Sequence, residues 1–462
     1  MHSHPKAPDM ATERRWVIGR QRRRMLEGDW RVDLNERIRR LAGPVKSSIW
    51  GDGDTAKNVF RSIVHQLSTL YNSPAQVNQE DPAAVEYMTE ALQAAGYWEL
   101  MQGSSPLVIG QREGLTRAEV VDRNGTPALL IRTAPADLVS VEADPDDPDV
   151  PVVVREYRVR STDKGPQWVA DVFSVADPAS PYFRTEDEDG QPIDVGIPSI
   201  EGDAYRARWS YADGTPFIPV EWVHAQRTGK LADPKFGTEL VDGALTVAAY
   251  WTLFGHILRD CSHPQRYSVG VRLAGLGSNE GEGTTYIETD PSSLLQFEAE
   301  PGVPYTVGQF APGGDPVDIG NAIRAYSGDL ATDFDISPSD IQRSTGDARS
   351  GFAIFLTKEG QRHAQRRYQP SFSRHDRSMI GKIAAMLNRS AGQSLPEAGW
   401  DVLYHGLPLG LEERKQLIEE MESRIALGLA SKVDVLAQLE GISLAAARKR
   451  LEQISIDARL NP

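Results

Sequence analysis

From Gly237 to Ser262 the chain reads GTELVDGALTVAAYWTLFGHILRDCS. Leu240, Ala244, Val247, Trp251, Phe254 and Leu258 recur at steps of 4-3-4-3-4, a heptad-like helical stripe. Val241, Leu245, Ala248 and Ile257 widen it. A helix apolar over so broad an arc must be buried on more than one side. Two settings satisfy that: the core of one chain, or a helix packed between identical neighbours in an oligomer. The pattern leaves both open. Its apolar run, 244–258, is about 15 residues, shorter than the roughly 20 that span a bilayer.

The rest of the chain must supply what covers such a helix. At 462 residues it is long enough for two to four domains or one elaborate fold. Its formal net charge is −15, which argues against a protein that wraps nucleic acid with a basic surface. The one cysteine, Cys261, permits no disulfide within the chain and no cysteine-based metal cluster. Arg22, Arg23 and Arg24 are followed by polar sequence, not by the apolar core of a secretory signal. A soluble protein of the cytosol, or part of a soluble assembly, is expected. Charge is uneven: residues 1–50 and 337–392 are basic, and 135–205 is acidic, with DPDDPD at 144–149 and EDED at 186–189. Solvated faces, or faces turned to different partners, explain such blocks.

Periodicity predicts an amphipathic helix over 56–72, and a second, capped by Asp81 with Pro82 at its first position, running to about Met101. Residues 105–225 read as a β-rich region of meander type. The apolar helix follows. A Gly- and Pro-rich β-excursion occupies 263–320, and helix returns at Asn321–Phe334. After a break at 344–350, a long basic helix starts near Gly351, interrupted near Pro370 and ending near Arg389. The tail is helical: one helix ends near Gly428, Ser431 caps the next, Gly441 ends it, and Ser443 caps the last. There Leu444, Ala447, Leu451 and Ile454 make an apolar stripe. Acidic neighbours offset Arg448, Lys449 and Arg450.

Searches for chemistry return little. GLGSNEGEG at 275–283 has neither G-K-[ST] nor G-x-G-x-x-G spacing. His2 and His4 lack further metal ligands nearby in sequence, and DPDDPD lacks the glycine and terminal glutamate of an EF-hand. His363 and His375, set among arginines, read as polar-face residues, not bases. No G-x-S-x-G or HExxH occurs. No catalytic residue, metal site or cofactor is expected.

The order of elements is more informative. RRRMLEGDW at 22–30, HQLSTLYNSPAQV at 65–77, HILRDCSHPQRYSVG at 256–270, ARSGFAI at 348–354 and the tail from Ala426 to Ile454 together resemble a tailed-bacteriophage portal protein, the head-to-tail connector. The resemblance in order covers most of the chain. It implies an α+β portal-type fold with a β-rich wing (1–236), long stem helices (237–262 and 321–336), a small clip (263–320), a channel loop (337–350), a long helix returning to the wing (351–399) and a helical crown (400–462). It implies a structural role without enzyme activity: a homo-oligomeric ring, a dodecamer, at one capsid vertex of the virion, formed in the host cytoplasm. DNA is packaged and ejected through such a ring. The implied partners are a terminase motor, the major capsid and scaffolding proteins, a head-tail adaptor and non-specifically passing double-stranded DNA, with no membrane. On this resemblance Arg343, Arg349 and Lys358 would lie toward the DNA channel. Leu240, Val247, Trp251, Phe254 and Leu258 would pack subunits along the stem. Two alternatives remain: an enzyme with a β-rich substrate domain and a helical lid, and a helix-turn-helix DNA-binding regulator.

Overall fold

The computed structural model describes residues 4–42, 52–123, 125–162, 165–232, 239–262, 265–269, 271–273, 297–299, 302, 304, 306–310, 315–341, 351–407, 411–440 and 444–460. The Gly-rich 275–283 segment, Arg343, Arg349, Gly441 and Ser443 lie outside them. The chain opens with α1 (Met10–Glu27) and α2 (Arg31–Ala42), then α3 (Val59–Leu67), β1 (Gln76–Asn78), α4 (Pro82–Ala94) and α5 (Tyr97–Gln111). The β-rich part holds β2 (Glu113–Arg123), β3 (Thr126–Pro135), β4 (Val139–Ala143), β5 (Pro151–Thr162), β6 (Gly165–Ser174), β7 (Tyr182–Glu186), β8 (Ile200–Glu201), α6 (Gly202–Arg206) and β9 (Val220–His224). Then come α7 (Glu239–Ser262), β10 (Gln265–Val269), β11 (Val271–Leu273), β12 (Phe297–Ala299), β13 (Thr306–Phe310) and α8 (Pro316–Thr332). Last are α9 (Pro338–Ile341), α10 (Gly351–Ala391), β14 (Asp401–Leu403), α11 (Leu411–Ala426), α12 (Lys432–Glu440) and α13 (Leu444–Leu460). The fold is α+β. No helix among the described residues is long and apolar enough to cross a membrane.

Two compact units divide the chain: 1–30, 58–241 and 328–462 form one, and 31–57 with 242–327 the other. In the first, β4 to β8 form a five-stranded antiparallel meander, as the alternation predicts. The other main sheet runs β3-β2-β9, so β9 returns across a long connection to pair with β2. The meander buries both faces. On one, Trp16 of α1 packs with Val153, Tyr157, Ala170 and Val172, and its indole donates to the Val139 carbonyl at 2.9 Å. On the other, Phe173, Phe183 and Trp209 meet edge-on or tilted, at centroid distances of 4.7 to 5.9 Å.

Three helical readings are corrected. The helix expected to reach Met101 breaks at Gly96, whose φ of 64° suits glycine. Helix then resumes to Gln111, so 105–111 of the region read as β-rich is helical. The third correction is Pro370, which does not interrupt α10: the helix is continuous for 41 residues, about 60 Å. Proline removes the donor to the Arg366 carbonyl. Residues 366 and 370 both face solvent, so water can serve that carbonyl, while Tyr368 and Phe372 are buried and pin the helix on either side. From Met379 to Leu387 all but Gly381 and Lys382 are buried apolar residues, and this part of α10 lies on β9 and β2.

The charged blocks are not only solvated faces. Arg15 and Arg22 of the basic N-terminus are buried, and Arg15 pairs with buried Glu113 at 2.9 Å. Arg23 reaches Asp137, fully buried, at 2.8 Å. In the acidic turn, Asp149 accepts from Arg227 at 2.6 Å and lies 3.5 Å from Arg374.

Candidate functional site

The second unit is built on α7. Its first half is core: Ala244, Leu245, Val247, Ala248 and Ala249 are all buried. Polar ties hold 31–57 against it. Arg37 donates to the Thr246 hydroxyl at 2.8 Å, and the Asp54 amide donates to the Thr252 hydroxyl at 2.9 Å. Both threonines in turn donate to carbonyls one turn back in their own helix, so each hydroxyl acts as donor and acceptor at once.

Beyond Ala249 the helix is less covered. Trp251, Leu253, Phe254 and Ile257 are half-buried, while Tyr250 and Leu258 are 38% and 43% exposed. Trp251 stacks edge-on with Phe254 at 5.4 Å and carries two cations on its ring, Lys57 at 5.6 Å and Arg324 at 5.9 Å. Tyr250 lies 6.3 Å from Tyr326 of α8, and Gly320 of α8 sits against Phe254. Partners 250–326 and 254–320 mean that α7 and α8 run antiparallel. The strands continue that register: Gln265 pairs with Phe310 and Val269 with Thr306. Among the described residues, α7 with β10 and α8 with β13 therefore run as two arms of an antiparallel hairpin, helical in α7 and α8 and stranded in β10 and β13. Its α8 arm also exposes Val317 (66%) and Tyr326 (42%).

Of the residues expected to pack subunits, Val247 is wholly buried within its own chain, Leu240, Trp251 and Phe254 are half-buried, and Leu258 is partly exposed. Of those expected at a channel, Lys358 is half-buried on α10; Arg343 and Arg349 are outside the described residues. In the tail stripe, Ala447 is buried, Leu451 half-buried and Ile454 48% exposed.

Sequence reading missed a buried polar centre. His375, expected on a polar face, is buried, and its Nδ1 lies 2.9 Å from Asp376. The Asp376 carboxylate accepts from the hydroxyls of Tyr71 (2.9 Å), Tyr97 (2.7 Å) and Tyr404 (2.6 Å). Burial first, and the adjacent carboxylate second, push all three phenols well above their ordinary pKa. No spacing could reveal it, because the partners lie up to 305 residues apart. A second ionic tie sits under α10: Lys382 reaches Glu221 at 2.7 Å and donates to the Val220 carbonyl, and Ser378 also donates to Glu221. Together the Glu221 carboxylate and the Val220 carbonyl hold α10 on β9.

No family model matches this chain, and none of the curated proteins does. Among solved structures, a chain from "Virion of native gene transfer agent (GTA) particle" is similar at 14% identity and a TM-score of 0.41, covering 81% of this chain and 91% of that one. A chain from "Neck of native GTA particle computed with C12 symmetry" is similar at 13% identity and a TM-score of 0.40, covering 81% and 90%. Likeness at that level assigns no function.

Proposed function

We propose that the chain is one subunit of a portal-type ring at a capsid vertex, a structural conduit for DNA and not an enzyme. The observation that carries this reading is the partly covered aromatic and aliphatic surface of the 242–327 hairpin, on Tyr250, Trp251, Phe254, Val317 and Tyr326. A closed ring is a head-to-tail assembly, so each subunit needs two dissimilar adhesive faces. The two arms of this hairpin can supply them. A second copy seated there would bury large apolar side chains, each worth about 1.5–3 kcal/mol on full burial.

In this reading the wing is 1–236, and the stem is 237–262 with 321–336. The clip, 263–320, docks the terminase motor and later the head-tail adaptor. Arg343, Arg349 and Lys358 lie toward the channel, and 400–462 is the crown. The acidic net charge of −15 suits a channel that must pass DNA without gripping it, because every neutralised phosphate releases counterions and adds affinity. Capsid and scaffolding proteins surround the ring during assembly.

Light scattering on the purified full-length protein tests this, combined with negative-stain electron microscopy. The expected result is a ring of about twelve copies; at 50.9 kDa per chain that is roughly 600 kDa. A species that stays monomeric or dimeric at high concentration, with no rings on the grid, overturns it.

A further inference from the structure

Between the β3-β2-β9 sheet and the β4–β8 meander lies a cavity of about 810 Å³. Its polar wall is mostly arginine, with Glu119, Asp122 and Ser390. Arg117 of β2 stands directly opposite Arg132 of β3, a like-charge cross-strand pair that destabilises a sheet unless compensated. Arg158 and Arg160 share one face of β5, two residues apart, with Glu156. Asp171 is paired across from Glu156 on β6.

Three carboxylates serve these four cations. Arg117 reaches Glu156 at 2.9 Å and Asp171 at 3.1 Å, and also pairs with Glu119. Arg132 shares Glu119 at 3.3 Å. Arg158 and Arg160 both turn to Asp171, the latter at 3.3 Å. The supply is insufficient: the Nε–H groups of Arg117, Arg132, Arg158 and Arg160 are all buried without an acceptor. Arg117 is only 2% exposed and lies over the Phe173 ring at 4.6 Å. Burial pushes the Arg158 pKa down to about 10, consistent with a cation short of counter-charge. At the rim, exposed Arg208 has no ion pair among the described residues, and the remaining acid, Asp122, caps the β2–β3 turn by accepting from the Gly125 amide.

Arg117 is buried and Arg132, Arg158 and Arg160 are half-buried with their Nε–H groups covered; such a cluster with one positive charge in excess costs free energy unless an anion completes it. The planar guanidinium fork matches the oxygens of a phosphate, and a cavity of this volume is the size of a small-molecule site. We propose that this cavity binds a small phosphate-bearing anion, held by Arg117, Arg132, Arg158 and Arg160, with Arg208 at its mouth. The inference does not depend on ring assembly.

The test is calorimetric titration of the full-length protein with inorganic phosphate and with pyrophosphate, at ionic strength held constant with chloride. Saturable binding is expected, with a rise in Tm; tighter binding of pyrophosphate would mark a phosphoanhydride ligand, and equal binding a single phosphate group. Arg160→Gln should weaken binding by about tenfold or more, the loss of one charge-assisted hydrogen bond. Arg208→Gln, an exposed change that leaves the fold intact, should weaken it several-fold. Arg206→Gln, paired with Asp203 outside the cavity, should leave it unchanged. Absence of saturable binding to the wild-type protein overturns the proposal. So does unchanged affinity in both Arg160→Gln and Arg208→Gln. If the wild type binds neither probe and Arg160→Gln instead alters the oligomer mass, a carboxylate from a neighbouring copy fills the cavity, which also overturns it.

Discussion

Asp376 shows how much one residue can organise without a motif to announce it. The side chain is fully buried and accepts three tyrosine hydroxyls, from the loop after α3, from α5 and from the residue just after β14. These tyrosines make stability depend on pH in the alkaline range. In the unfolded chain a phenol ionises near pH 10; in the fold Tyr71, Tyr97 and Tyr404 resist ionisation to well above that value. Below about pH 10 both states hold the proton, and the full stability is present. Above it the unfolded state releases protons that the folded state keeps, so stability falls as pH rises, by about 1.4 kcal/mol per pH unit for each such tyrosine. Tyr211, pushed up to about 12 by burial, adds to the effect. Urea unfolding between about pH 9 and pH 11 should show this decline, with a shallower slope in Tyr97→Phe. Equal slopes in the two proteins would mean that Tyr97 is not held neutral by its site.

At the scale of elements, the sequence was most legible where one period ran uninterrupted. The 4-3-4 stripe located α7, described from Glu239 to Ser262, and Asp81-Pro82 marked the start of α4. It was least legible where tertiary contact decided the outcome. Pro370 predicts a break that α10 does not make, because packing of Tyr368 and Phe372 outweighs one lost hydrogen bond on the wet side. Likewise SSPLVIG in α5 has strand-like apolar content, yet it folds as helix against α1, α3 and α4. Gly360 of α10 shows a related constraint. A Cβ there would meet the Asp335 carbonyl oxygen at 1.5 Å, so the backbone after α8 would have to move. Asp335 itself has a φ of 61°, fixed in the left-handed region. Gly360→Ala should therefore destabilise by about 1–3 kcal/mol despite alanine's better helix propensity. Gly255→Ala in α7, where a Cβ meets nothing within 4 Å, should stabilise by about 0.5–1 kcal/mol. Thermal unfolding of the two variants separates close approach from propensity; a stabilised Gly360→Ala would refute the contact.

For the whole molecule, the consequential division runs along α7. The stripe left two settings open, core helix or oligomer contact. The first half of the helix is core, and the second half leaves aromatic surface that the described residues cover only in part. Sequence could not separate the halves, since both carry the same period; what differs is which other segments reach them. That division gives the ring proposal its sharpest test. Trp251 and Phe254 are half-buried, so a carboxylate at either position can still find water in an isolated subunit, and the fold should persist. Inside a subunit contact the same carboxylate would be desolvated without a partner, at a cost of several kcal/mol. Trp251→Asp and Phe254→Asp should thus give folded protein of unchanged circular dichroism that no longer forms rings. Val247→Asp, at a wholly buried position, should fail earlier, by unfolding the subunit itself. Rings of normal mass from Trp251→Asp and Phe254→Asp would remove this face of α7 from the subunit contact, and with it the observation on which the ring proposal rests.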